Sequence, residues 1–150
     1  MIILDNSVLS AFTRLKLLSS LKSLFSTVFI SKEITEEYSN EWKEMIPNWV
    51  KILSSNIDIP LENIPLSLSS ADLSIIKLAL DYNMPITSDD RPLRNYAIKL
   101  EIKITGSLGL LKLLYKKRII KSREKYIHYL NSLQEDIYIS EDLLKWALDE

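Results

Sequence analysis

The stretch Ile2-Ile3-Leu4-Asp5-Asn6-Ser7-Val8-Leu9 decides the reading of this chain. Its first three residues form a continuous apolar run. That suits a short strand buried on both faces of a parallel sheet better than a strand with one wet face. An acid follows at once, and Val8, Leu9, Phe12 and Leu15 then recur at helical spacing. A strand that passes directly into a helix through a carboxylate opens a strand–helix–strand unit. In an open parallel sheet, functional groups collect at the carboxyl ends of the strands. A charge placed there is costly without a partner or a metal, although Asp5 or Asn6 also suits the plainer role of helix N-cap.

The same alternation runs outward from this unit. A helical stretch over Leu17–Phe25 precedes a strand over Val28–Ile30. Ser31 caps a helix holding Ile34 and Tyr38. The segment Trp42–Pro65, with two tryptophans and three prolines, carries a strand near Val50–Leu53 and is otherwise unassigned. Ser69–Tyr82 reads as a strong helix and Pro85–Thr87 as a short strand. Pro92 suits the first helical position behind an acidic cap, in a helix running to Leu100. Ile102–Ile104 forms a further strand. Gly106 then serves the turn, Ser107 opens a helix through Leu114, and Gly109 allows close packing. Helices over Ser122–Leu133 and from Ser140 to Leu148 end the chain. The expected architecture is a single α/β domain over residues 1–150, with three α/β/α layers around a mostly parallel sheet.

Composition removes several chemistries. At 150 residues and 47% hydrophobic, the chain can bury a substantial core. With no cysteine there are no disulfides, thiolate zinc sites or cysteine nucleophiles, which fits a cytoplasmic protein. The single histidine, His128, cannot build a zinc site alone and reads as structural. There is no Walker loop, dinucleotide fingerprint or serine-nucleophile elbow. A net charge of −1 gives no global attraction to nucleic acid, so binding of a polyanion needs a local patch or a metal. No signal peptide is visible, and no apolar run approaches the roughly 20 residues that span a bilayer.

Acids stand at the expected functional positions: Asp5, Glu37 with Glu36 competing, Asp72, and the tandem Asp89-Asp90. Each has an ordinary alternative. Asp72 completes Ser69-x-x-Asp72, close to a capping box, one of Asp89 and Asp90 caps the helix after them, and Glu36 and Glu37 suit a solvated helix face. Carboxylates from distant parts of the chain that meet at one sheet edge would repel one another. A hard divalent cation, Mg²⁺ or Mn²⁺, resolves the conflict and points to a metal-dependent enzyme acting on phosphates. Arg91 and Arg94 lie beside this group as phosphate contacts. Lys112, Lys116, Lys117, Arg118, Lys121, Arg123 and Lys125 form a basic stretch that suits either phosphates or a solvated face.

The order of these motifs resembles the PIN-domain nucleases, a family that includes the VapC-type toxins, over nearly the whole chain. The matching positions are Leu4-Asp5-Asn6-Ser7-Val8-Leu9, Glu37 before Tyr38, Asp72 ahead of Ile76 and Ala79, and Ser88-Asp89-Asp90-Arg91, where serine replaces the usual threonine. Ile86 through Gly106-Ser107-Leu108-Gly109, with Arg118-Ile119-Ile120 and Ile137-Tyr138-Ile139-Ser140, is similar to a small prokaryotic PIN-like subfamily of mostly uncharacterised proteins. The resemblance implies catalytic Asp5, Glu37, Asp72 and Asp90. It implies a Mg²⁺ or Mn²⁺ site drawn from Asp5, Asp72 and the Asp89–Asp90 pair, with Ser7 and Ser88 as supporting or phosphate-binding groups. The implied activity is an endoribonuclease on single-stranded RNA, in a toxin–antitoxin setting with a small antitoxin partner. A homodimer covering Trp42 and Trp49 is also expected. Two rivals accompany it: a degenerate PIN-like module that only binds a protein or RNA, and a phosphohydrolase, for which Asp5-Asn6-Ser7 lacks the second aspartate.

Overall fold

The apolar triplets behave as their sequence dictates. In the computed structural model, which describes residues 1–55, 58 and 60–149, Ile2, Ile3 and Leu4 form β1 (Ile2–Leu4) and are all buried. Around it stand β2 (Val28–Ile30), β3 (Val50–Ile52), β4 (Ile86–Thr87) and β5 (Ile104–Thr105). The sheet has five strands in the order β3-β2-β1-β4-β5, and every neighbouring pair is parallel. Ile3 registers with Phe29 on one side and Ile86 on the other. Parallel strands need crossovers, and the crossovers contain helices α1 (Asn6–Arg14), α2 (Lys32–Trp42), α3 (Ser70–Tyr82) and α4 (Arg91–Lys99); α5 (Ser107–Lys116), α6 (Arg123–Asp136) and α7 (Glu141–Leu148) follow the last strand. The result is the three-layer α/β/α arrangement that the alternation predicts.

The core is continuous. Val8, Leu9 and Phe12 on α1, Ile75 and Ile76 on α3, and Leu110, Leu111 and Leu114 on α5 bury their side chains with the strand residues. Each such side chain contributes about 1.5–3 kcal/mol by leaving water. Serine supplies most of the helix starts. Ser31, Ser69, Ser122 and Ser140 each accept a hydrogen bond from the backbone N–H three residues on, as the sequence suggests. Among the described residues no helix is long and apolar enough to cross a membrane.

Four local expectations shift. The stretch expected as a helix over Leu17–Phe25 is only a 3-10 turn over Leu18–Ser23. Lys16 adopts a left-handed φ of 59°, which breaks the helical path ahead of it, and of the turn's residues only Leu21 is buried. Strand β5 lies at Ile104–Thr105 rather than Ile102–Ile104. Ile102 is taken by the end of α4: its N–H bonds to Ala97 O at 2.9 Å and that of Glu101 to Ile98 O at 3.0 Å, with Glu101 at φ 61°. This is the Schellman closure, usually built on glycine. Pro92 occupies the second helical position, because Asp90 rather than a later residue is the cap of α4. The strand expected near Val50–Leu53 ends at Ile52, and Asn56, Ile57 and Ile59 of the unassigned segment lie outside the described residues.

Candidate active site

The strand order reverses direction between β1 and β4, and ligands of open α/β sheets bind at the carboxyl end of such a switch point. Asp5 follows β1 there and Ser88 follows β4. The Asp5 backbone N–H bonds to Thr87 O at 2.9 Å, which pins the acid to the neighbouring strand. Asp5 is 4% exposed. Its Oδ1 accepts the N–H of Asn6 at 2.8 Å, making Asp5 the cap of α1. Its Oδ2 accepts two hydroxyls, Ser7 Oγ at 2.9 Å and Ser88 Oγ at 2.6 Å.

Both serines are relays. Ser7 Oγ accepts the N–H of Asp89 at 3.0 Å, and Ser88 Oγ accepts the N–H of Asp90 at 3.0 Å. A hydroxyl has one proton, and in each serine that proton is spent on Asp5. Ser7 and Ser88 therefore orient the carboxylate here. Their expected alternative role, donating to a phosphate, would require breaking these bonds.

Burial is the main influence on Asp5 and pushes its carboxyl above the ordinary value of 3.8; the two serine bonds oppose this, and the Asp72 charge adds to it. Glu37, at the middle of α2, is also raised above its ordinary 4.5, first by burial and then by the charges of Asp5, Asp72 and Glu41. Asp5, Glu37 and Asp72 thus act on one another electrostatically although they lie on α1's cap, α2 and α3. Asp72 also makes the reciprocal capping box: Ser69 N–H to Asp72 Oδ2 at 2.9 Å and Asp72 N–H to Ser69 Oγ at 3.1 Å. The capping and site readings of Asp72 are therefore compatible.

The tandem acids have separate tasks. Asp90 Oδ2 accepts the N–H of Leu93 at 3.1 Å as the cap of α4. Asp89 is engaged as well: Oδ1 accepts the Ser107 N–H at 2.7 Å and Oδ2 the Ser107 hydroxyl at 2.5 Å. It ties the start of α5 to the loop after β4. Arg94 Nη1 donates to Ser88 O at 2.8 Å, so the arginine braces the same loop, and Arg91 is exposed at the first position of α4. Gly106 serves this region by its size rather than by its backbone. It is extended at φ −120°, and a Cβ there would stand 2.8 Å from Asp89 Oδ1 and 3.0 Å from Arg94 Nη1.

Sequence reasoning missed Glu41 and Ser107. Glu41 accepts from Asn6 Nδ2 at 3.3 Å and from the Ser10 hydroxyl, and its Oε2 lies 3.9 Å from Arg14 Nη1. Its signal was available as the position one helical turn beyond Glu37. The basic stretch is not one surface. Lys112 is buried, donates Nζ to Trp146 O and sits 4.1 Å from the Trp146 ring centroid. Arg123 bonds to Leu148 O at 3.0 Å. Trp42 is half-buried, donating Nε1 to Ser10 Oγ at 3.0 Å, and Trp49 packs against the core. His128 lies exposed on α6.

The donor set is entirely oxygen, which suits Mg²⁺ or Mn²⁺ and not a soft metal. The side chain of Asn6, next to Asp5, adds a buried Oδ1 with no hydrogen-bond partner among the described residues. Among the described residues, no three acidic or histidine side chains stand together as a ready cage for one ion. Mg²⁺ commonly uses one or two protein carboxylates and completes its shell with water and substrate phosphate.

A family model, DUF3368, described as a PIN domain, matches residues 1–150. The chain belongs to the PIN-domain family. PIN domains are generally nucleases that act on nucleic acids and use divalent metal ions. Among curated proteins none matches the chain.

Proposed function

We propose that this PIN domain is a metal-dependent endoribonuclease that hydrolyses phosphodiester bonds of single-stranded RNA. The observation that carries the reading is the electrostatic pressure that Asp72 and Asp5 exert at the sheet's switch point: the Asp72 charge raises the buried Asp5 carboxyl, and both charges raise Glu37. Carboxylates placed where neighbouring charge disfavours their ionised form are poised to accept a proton or a cation. Asp5 and Asp72 are the ligands assigned to Mg²⁺ or Mn²⁺, with Asp90 or Asp89 joining from the loop after β4. Such an ion, when bound, activates water and offsets charge on the scissile phosphate. Ser7 and Ser88 hold Asp5 in one orientation. Glu37 borders the site as the group suited to accept a proton from the attacking water, its affinity raised by its neighbours. Arg91 and Arg94 are the cations closest in sequence to this loop and the assigned phosphate contacts.

The wider setting in this reading is a cytoplasmic toxin held by a small antitoxin protein, with self-association of the chain as a second contact. Support for it is the family likeness alone. A degenerate PIN-like module, binding RNA or protein without cleaving, is favoured by one observation: Asp89 and Asp90 already have protein donors. RNA cleavage assayed in Mg²⁺ or Mn²⁺ and in EDTA separates the two. Cleavage that requires metal supports the nuclease, and intact RNA in every metal supports the degenerate module.

A further inference from the structure

A pocket of about 380 Å³ opens beside Asp89 and Arg94, between the start of α5 and the C-terminal segment that leads into α7. Its walls include the apolar side chains of Leu108 and Leu143, and Asp89, Arg94 and Thr105 are among its polar lining residues. Two aromatic residues that line it are open to solvent: Tyr138 is 91% exposed and Trp146 is 48% exposed. The wall is anchored from behind. Tyr126 Oη donates to Ala147 O at 2.7 Å, and Lys112 holds Trp146 from backbone and ring face. Asp89, which lines the pocket, is tied to the carboxylate site by a short relay: its N–H bonds to Ser7 Oγ, and that hydroxyl bonds to Asp5.

We propose that this pocket takes one nucleobase of the single-stranded RNA substrate, next to the phosphate presented to Asp5. The proposal rests on the nuclease reading above for the identity of its ligand. A fully exposed tyrosine ring beside an apolar slot offers a stacking platform, and bases stack on aromatic rings with little regard to sequence. Arg94 decides between a base on its strand and an apolar peptide side chain. A guanidinium carries five N–H donors, and Arg94 uses one of them on Ser88 O among the described residues. An RNA strand brings phosphate and base acceptors to the remaining donors, whereas an apolar side chain would cover them without satisfying them. The volume falls within the range of small-ligand sites.

The test is binding of a short labelled single-stranded RNA, followed by fluorescence anisotropy in EDTA so that binding is read without cleavage. Tyr138→Ala is expected to weaken binding about 5- to 100-fold, with Tyr138→Phe retaining wild-type affinity because it keeps the ring. Moving a single abasic position along the RNA should find one site where the wild type loses the same factor and Tyr138→Ala loses nothing further. Equal binding by wild type and Tyr138→Ala overturns the proposal and leaves the pocket to another occupant, such as an apolar protein side chain. An abasic effect spread evenly along the strand, or no binding by the wild type, overturns it also. Metal-dependent cleavage of the same RNA is scored separately. Its absence alongside a localised Tyr138 effect would count against the nuclease reading and not against the base pocket.

Discussion

Ser88 Oγ donates to Asp5 Oδ2 at 2.6 Å while accepting the backbone N–H of Asp90 at 3.0 Å, so one hydroxyl couples the loop after β4 to the acid after β1. Ser7 makes the parallel relay from Asp89 to the same oxygen. The carboxylate that most needs support is thus held by the two residues that flank its strand junction.

Removing either relay should be costly. Ser88→Ala deprives a buried carboxylate of a donor and strands the Asp90 N–H, and is expected to destabilise by about 1.5–3 kcal/mol. Ser7→Ala should act in the same direction. Because both donate to Oδ2, the double variant should depart from additivity. The Asp5 carboxyl should rise further in each, since both bonds lower it now. Urea denaturation and carboxyl titration by NMR check the two effects.

The pH dependence has a definite sign. Asp5 binds its proton more tightly folded than unfolded, because burial raises it above 3.8. The folded state therefore holds more protons over the window from that ordinary value up to the folded one. Stability from this group is complete below the window, falls as pH rises through it, and stays level above. Asp5→Asn cannot titrate. Denaturation of metal-free protein across a pH series should show the wild type losing ground to Asp5→Asn as pH rises. A difference that grows in the opposite direction would refute the assignment of burial as the dominant influence.

Asp72 has an observed capping role and a proposed metal-binding role to separate. Asp72→Asn keeps a side-chain oxygen able to accept the Ser69 N–H, so metal-free stability should change by no more than about 1 kcal/mol. Relief of repulsion with Asp5 and Glu37 offsets part of that cost. The stabilisation by Mn²⁺, about 2.7 kcal/mol at 100 times the dissociation constant, should largely disappear. Thermal melting of both proteins with and without Mn²⁺ reads the difference, and an unchanged Mn²⁺ effect would remove Asp72 from the metal site.

Gly106→Ala probes the crowding around the loop. Its new Cβ meets Asp89 Oδ1 at 2.8 Å and Arg94 Nη1 at 3.0 Å, both on side chains already bonded in place. Overpacking of this kind costs about 1–3 kcal/mol, measured by chemical denaturation. A neutral result would show that Asp89 and Arg94 move freely.

The legible parts of the fold were those where one local signal had no competitor. Ile2–Leu4 is too short and too apolar to sit anywhere but a central strand, and Ser31 and Ser69 cap helices whose apolar spacing is clear. The failures occur where the chain bends without glycine. Lys16 and Glu101 adopt left-handed φ angles, for which neither residue type gives warning, and the positions of the 3-10 turn and of β5 followed from them. At the site, an acid before Arg91-Pro92 announces a cap but not which acid. The Ser107 hydroxyl on Asp89 joins positions 18 apart in sequence, a pairing that depends on β4 and β5 lying side by side. Glu41 was hidden because a carboxylate on a charged helix face looks solvated until Asn6 and Ser10 are brought beneath it.

Single-turnover cleavage of a labelled single-stranded RNA in Mn²⁺, by the wild type and by Asp5→Asn, tests the central claim most directly. The account predicts cleavage by the wild type that EDTA abolishes, and no cleavage by Asp5→Asn in a chain that remains folded. Equal cleavage by the two proteins, or cleavage that survives EDTA, would contradict it.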